Sequence, residues 1–198
     1  MINFKKISNE APYRVFKDYY DDAQKNKQKN IEAICISSYS KNTNEVNARF
    51  VNLKFIQDKK FIFFSNYNSP KAQDFFRHNQ ITALIYWQNI NVQIRMKALI
   101  EKTSPELNQA YFKERDIKKN ALSISSKQSS FINSYEEVQN NYKKVLESED
   151  LLICPKYWGG YFFVPFYFEF WQGHSSRINK REIYELKDNE WIKGYLQP

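Results

Sequence analysis

The amino-acid sequence predicts a mainly β protein with flanking helices, its antiparallel sheet curled into a barrel and the helices packed outside. Three observations predict this. Short β-like runs outnumber helical stretches, neighbouring runs are joined by hairpin-length turns, and no β–α–β alternation occurs along the 198 residues.

Residues 12–28 open with an amphipathic helix, in which Val15, Phe16, Tyr19 and Ala23 recur at helical spacing between charges. A meander follows: AICISSYS (33–40), the polar turn KNTNE, RFVNLKFI (49–56), the QDKK turn and FIFFSN (61–66). Ser69 is then a good N-cap and Pro70 suits a first helical position, so a short helix begins there with Phe75 and Phe76 facing inward. ITALIYWQ (81–88) and VQIRMKALIEKT (92–103) pair around the turn NIN. A helix fits 105–115, with Pro105 in its first turn and Leu107, Ala110 and Tyr111 on one side. Another fits 135–148, where Ser134 and Glu137 have capping-box spacing and Val138, Tyr142, Val145 and Leu146 form the apolar stripe. WGGYFFVPFYFEFWQ is a long aromatic strand region, and REIYELKDNEWIKGYL closes the chain as a hairpin about Asp188-Asn189.

A chain of 198 residues reads as one domain (1–198), with a helical N-terminal segment over 1–30. At this length it buries about 70% of its extended-chain surface and needs no staples. No run of 18 apolar residues spans a membrane, and the N-terminus has no apolar h-region of a secretory signal. Cys35 and Cys154 show no CxxC spacing and only two histidines accompany them, which argues against a metal site and for a reducing compartment, the cytoplasm. The net charge of +8 raises nucleic acid as a partner, but lysines such as Lys25, Lys27 and Lys29 are scattered singly, as on a solvated surface. An anionic small molecule uses the same charges more economically, and neither nucleic acid nor membrane is expected as a partner.

Several stretches hold candidate chemistry. In SNYNSPKAQDFF, Lys71 falls in the first turn of a helix, where a cation opposes the helix dipole unless an anion shares the site. An ordinary strand-to-helix turn carrying a surface lysine reads the same way. Arg49 and Lys54 bracket RFVNLK and differ by five, so on a regular strand they point to opposite faces. One ligand touched by both requires a bulge or a subunit interface. Gln93 and Arg95 share a face beside Tyr86-Trp87, and ISSKQSSF (124–131) offers Gln128 and Ser129 to a polar ligand edge or serves only as a helix-entry loop. FEFWQGHSSRINKR (168–181) sets Phe168, Phe170 and Trp171 around Glu169 and follows with Arg177 and Arg181. No Ser-His-Asp set, paired carboxylates, G-x-G-x-x-G or P-loop occurs; His78 and His174 read as surface residues. Cations, amides, hydroxyls and aromatic faces are the equipment for holding a cofactor that carries the chemistry itself.

Taken in order, RFVNLK, FFSNYNSPKA, Gln93 followed by Arg95, YFKER (111–115), SKQSS (126–130), YWGGY (157–161) and EFWQGHSSRINKR resemble the pyridoxine/pyridoxamine 5′-phosphate oxidases over residues 31–198. The resemblance implies an FMN-binding split barrel, a homodimer with FMN across its interface, and oxidation of a phosphorylated B6 vitamer with O2 as electron acceptor. By motif match it makes Arg49, Phe64, Ser65, Lys71, Gln93, Gln128, Ser129, Trp171 and Arg181 flavin contacts. It makes Lys54, Tyr111 and Arg115 holders of the substrate phosphate, with Lys119 at a position that contacts it, and sets Arg177 and Asn179 over the pyridine ring near its reactive carbon. The sequence departs from the family pattern at Pro70 (usually Arg, on the FMN phosphate), Lys119 (usually Ser), Asn179 (usually His), Lys180 (usually acidic) and Tyr195 (usually Arg). The N-terminal segment also lacks the expected Arg/Tyr lid residues. These departures fall mainly on substrate handling. They leave open a divergent FMN oxidoreductase with another substrate, or a non-catalytic module binding a phosphate ligand or nucleic acid.

Overall fold

The computed structural model describes residues 1–198, and its ten strands form one sheet. In chain order the elements are β1 (Asn3–Ile7), α1 (Ala11–Lys25), β2 (Ala33–Ser40), β3 (Glu45–Asn52), β4 (Phe55–Asp58), β5 (Lys60–Asn66), α2 (Pro70–Arg77), β6 (Gln80–Trp87), β7 (Val92–Lys102), α3 (Pro105–Glu114), α4 (Ile117–Ser125), α5 (Tyr135–Ser148), β8 (Trp158–Gln172), β9 (Lys180–Lys187) and β10 (Glu190–Leu196). The strand order is β1-β4-β5-β8-β7-β6-β2-β3, with β9 added on β8 and β10 on β9.

The organising strand is β8, fifteen residues of WGGYFFVPFYFEFWQ. One of its edges runs along β7; the other pairs with β5 over Trp158–Phe163 and with β9 over Tyr167–Gln172. The change of partner falls at Pro165 and Phe166, where the β7 register shifts between Lys97 and Ala98. Proline has no N–H to give the ladder, so the strand is interrupted there and one edge serves two neighbours. The resulting split lets the sheet curve round a core that includes Phe61, Phe63, Phe163, Phe168 and Phe170. Each such ring contributes about 1.5–3 kcal/mol on burial. Helix α1 covers this core with Tyr13, Phe16, Tyr20 and Ala23, its Phe16 edge-on to Phe61 at 5.1 Å.

Several expectations are corrected. The stretch 49–56 is not one strand: β3 ends at Asn52 and β4 begins at Phe55. At the break, the Leu53 N–H donates to Glu32 O and the Lys54 N–H to Ile62 O, and Leu53 turns wholly into the core. The sheet is not entirely antiparallel, because β1 lies parallel to β4. Phe75 is buried but Phe76 is 84% exposed, since consecutive helical positions differ by about 100° and cannot both face inward. In α3 the buried residues are Asn108 and Phe112, not the side marked by Leu107 and Ala110. Helix α4, capped by the Asp116 carboxylate on the Lys118 N–H, was not expected, nor was β1. Helix α1 stops at Lys25, short of 28. The Gln28 N–H donates to Ala23 O and the Lys27 N–H to Gln24 O, with Lys27 at φ 56°, a Schellman ending.

Candidate functional site

A cleft of about 850 Å³ opens where β3, the β3–β4 break, β5 and the start of α2 meet α3, α4 and the loop after α4. Arg49, Lys54, Phe64, Ser65, Pro70, Lys71, Tyr111, Arg115, Lys119, Gln128 and Ser129 all line it. The strand break removes the face conflict between Arg49 and Lys54, so both reach one cleft within one chain.

The cations fall into two groups. In the first, Lys71 is 7% exposed and has no carboxylate partner; its Nζ donates to Ser65 Oγ at 2.9 Å and Ser69 Oγ at 3.1 Å. Burial, with the charge of Arg49 nearby, pulls its ammonium down to about 8. The Ser69 hydroxyl donates to Asn66 O and accepts from Lys71, so it makes no cap for α2. Arg49 donates from Nη1 to Ser38 Oγ at 2.7 Å and to Ile36 O at 3.3 Å. In the second group, burial lowers Lys54, and Lys119 and Arg115 lower it further against the opposing charge of Glu32. Arg115 is held by Ser123 Oγ (2.7 Å) and Asn120 Oδ1 (3.3 Å) over the Trp158 ring at 5.0 Å.

Aromatic rings wall the second group. Phe64 stacks on Tyr111 at 4.0 Å and on Trp158 at 5.2 Å. Gln128 folds in from the loop, its Oε1 accepting from Ser65 Oγ at 3.4 Å and the Asn66 N–H at 3.3 Å. Ser129 follows in the left-handed region at φ 66°.

The remaining expected residues do not line this cleft. Gln93, Trp171 and Arg181 lie side by side across β7, β8 and β9, at the far end of β8 from Trp158. There Glu169, 3% exposed, receives Arg181 Nε at 2.8 Å on Oε1 and Arg95 Nε at 3.1 Å on Oε2. Burial would raise the Glu169 carboxyl, but the two guanidiniums outweigh it and hold it below its ordinary value. Arg177 is exposed in the β8–β9 loop at φ 60°, and the Asn179 Oδ1 accepts from the His174 N–H. One chain therefore carries two halves of the expected constellation at two places.

Residues missed from the sequence are Ser38, Asp74 and Trp158. Asp74 lies three positions after Lys71 on α2, which places it on the same helix face. Ser38 continues the inward alternation of Ile34 and Ile36, and a hydroxyl where an apolar side chain is expected was a legible signal.

Fold and cleft define a class: a split β-barrel with an aromatic-walled cleft in which five cations, Arg49, Lys54, Lys71, Arg115 and Lys119, outnumber two carboxylates, Glu114 and Asp116. A family model described as the pyridoxine 5′-phosphate oxidase C-terminal dimerisation region matches residues 158–198. A pyridoxine/pyridoxamine 5′-phosphate oxidase 2 of Hydrogenovibrio crunogenus is 32% identical over 194 residues, covering 96% of this chain and 90% of the relative. A pyridoxine/pyridoxamine 5′-phosphate oxidase of Pseudomonas fluorescens is 30% identical over 192 residues, 96% and 89% of the two chains. The chain belongs to the pyridoxine/pyridoxamine 5′-phosphate oxidase family. Two solved structures share its split-barrel fold. PhzG of Burkholderia lata, solved with tetrahydrophenazine-1-carboxylic acid, superposes with a TM-score of 0.87 at 22% identity, covering 96% of this chain and 93% of its own. A pyridoxamine 5′-phosphate oxidase-related, FMN binding protein of Nostoc punctiforme superposes with 0.79 at 15%, covering 95% and 98%.

Proposed function

We propose that the protein is an FMN-dependent oxidase that converts pyridoxine or pyridoxamine 5′-phosphate to pyridoxal 5′-phosphate. The observation that carries this reading is the division of the cleft cations into two groups, Arg49 with Lys71 and Lys54 with Arg115 and Lys119. Two separate clusters suit two phosphorylated ligands, one the cofactor and one the substrate.

The residues fit FMN. A buried ammonium without a carboxylate partner is costly, and a phosphate on Arg49 and Lys71 offsets that cost. Ser65, Gln128 and Ser129 supply hydroxyl and amide contacts beside it, with Phe64 at the ring. FMN, when bound, would supply the hydride acceptor and O2 would take up the two electrons as hydrogen peroxide, water replacing the nitrogen of the amine substrate, which leaves as ammonia. Lys54, Arg115 and Lys119 would grip the substrate phosphate and Tyr111 would close on it, fixing the pyridine ring in one orientation. Gln93, Trp171 and Arg181 lie together across β7, β8 and β9 and do not line the cleft of their own chain. The match of residues 158–198 to a dimerisation region supports a homodimer in which the second copy brings them, together with Arg177 and Asn179 over the substrate ring.

The substitutions at Lys119 and Asn179 favour a second reading, an FMN oxidoreductase of the family with a different anionic substrate. The test is an anaerobic visible spectrum of the FMN-loaded protein before and after addition of pyridoxine 5′-phosphate. Bleaching of the bound flavin is the expected result. A flavin that binds but stays oxidised removes the B6 substrate, and failure to bind FMN leaves a non-catalytic phosphate-binding module.

A further inference from the structure

We infer that Asp74 and Ser38 form a bracket that aims the Arg49 guanidinium into the cleft, making both positioning residues for the phosphate end of the cofactor. The inference rests on the reading that Arg49 and Lys71 hold that phosphate.

Asp74 and Ser38 are 6% and 2% exposed, and three elements bring them to Arg49: β2 carries Ser38, α2 carries Asp74 and β3 carries Arg49. The Ser38 hydroxyl donates its one proton to Asp74 Oδ2 at 2.8 Å, which leaves its lone pairs for Arg49 Nη1 at 2.7 Å. Arg49 Nη1 also reaches Ile36 O, and Nη2 lies 3.9 Å from Asp74 Oδ2. One edge of the guanidinium is thus spent on the floor of the cleft. Nε makes no protein hydrogen bond, and of the Nη2 donors only the long approach to Asp74 is used, so this edge is free for a ligand that enters the cleft.

Core filling does not explain the arrangement. At the inward position of Ser38 a valine or isoleucine would pack without a polar atom, and a buried aspartate is expensive unless paired. The buried hydroxyl and carboxylate make sense together, as a fixed seat for a long side chain that otherwise loses rotamer freedom on binding. Lys71 beside it has no such counter-charge. The cradle therefore keeps one oriented cation and one uncompensated cation for a phosphate.

The test compares FMN with riboflavin, which has the same ring but no phosphate, by fluorescence quenching on flavin-stripped protein. For Asp74→Ala, FMN affinity is expected to fall at least about tenfold while riboflavin affinity stays at the wild-type value. Asp74→Asn keeps an acceptor for the Ser38 hydroxyl and is expected to recover most of the loss. Ser38→Ala reproduces the FMN-selective loss and carries the test if Asp74→Ala does not fold. Equal losses for the two flavins would mean a purely structural role, and unchanged or tighter FMN binding would mean that Asp74 only opposes the phosphate; either overturns the inference. A wild-type protein that binds the two flavins equally removes the phosphate-cradle reading itself, and the bracket with it.

Discussion

Lys71 is buried with only two serine hydroxyls as hydrogen-bond partners, and burial together with the charge of Arg49 depresses its pKa to about 8. A bound phosphate raises that pKa, so binding must take up a proton wherever free Lys71 is neutral. Below about 8 the lysine is already charged and FMN affinity is at its full value; as pH rises through 8 it is lost by up to about tenfold per unit. Titrations from pH 7 to 9.5 should show this slope for FMN and none for riboflavin, and Lys71→Met should abolish it. Pro70 also lines the cleft, one residue before Lys71, and Pro70→Arg adds a cation there. It is expected to tighten FMN about three- to tenfold in the same assay, the worth of one partly solvated charge-assisted contact. Arg177 belongs to the other half of the constellation. Arg177→Ala should lower kcat by about a hundredfold with FMN affinity unchanged, measured by peroxide release and flavin titration, because its proposed partner is the substrate. Loss of FMN from that variant would move Arg177 to the cofactor side.

At the scale of elements, hairpins were legible and breaks were not. Asp188-Asn189 marks a two-residue turn, and both residues take positive φ, 50° and 66°, as the twist of β9 and β10 requires. AICISSYS and WGGYFFVPFYFEFWQ are strands over the whole of their predicted lengths because aromatic and β-branched residues leave little else open to them. The interruption at Leu53-Lys54 carries no Gly or Pro. It follows from backbone bonds of Leu53 to Glu32, before β2, and of Lys54 to Ile62, across the β4–β5 turn, and neither leaves a mark on the periodicity that would reveal Arg49 and Lys54 sharing a cleft. Helix α4 was hidden for a similar reason. Among its nine residues only Asn120 and Ala121 are buried, and the short apolar pattern resembles a loop. The end of α1 allows a test. Lys27 holds the left-handed position of a Schellman motif that glycine usually fills, and a side chain there costs about 1 kcal/mol. Lys27→Gly should therefore raise Tm by about 2–4 °C in a thermal unfolding scan, whereas Lys27→Ala should give no gain.

For the whole molecule the question is how the two halves of the constellation meet. Chain order did not hide them, since each half was legible as a motif; what the sequence could not show is that β8 carries them at opposite ends. Trp158 stands at the cleft, while Trp171 is thirteen positions further along the same strand, flanked by Gln93 and Arg181. In a symmetric dimer each flavin would use the cleft of one copy and the β7–β9 cluster of the other. That arrangement has a consequence that a site within one chain does not share. Lys71→Ala spoils the cleft and Arg181→Ala spoils the cluster, so each homodimer has two defective sites. A hybrid dimer of the two variants concentrates both defects in one site and leaves the other intact. Co-expressed with two different affinity tags and purified through both, the hybrid should bind one FMN per dimer with wild-type affinity, while neither parent does. If each site lay within a single chain, every site in the hybrid would carry one defect and no tight binding would return. The measurement is flavin stoichiometry by absorbance together with the titration curve, and it separates the two architectures whatever the substrate proves to be.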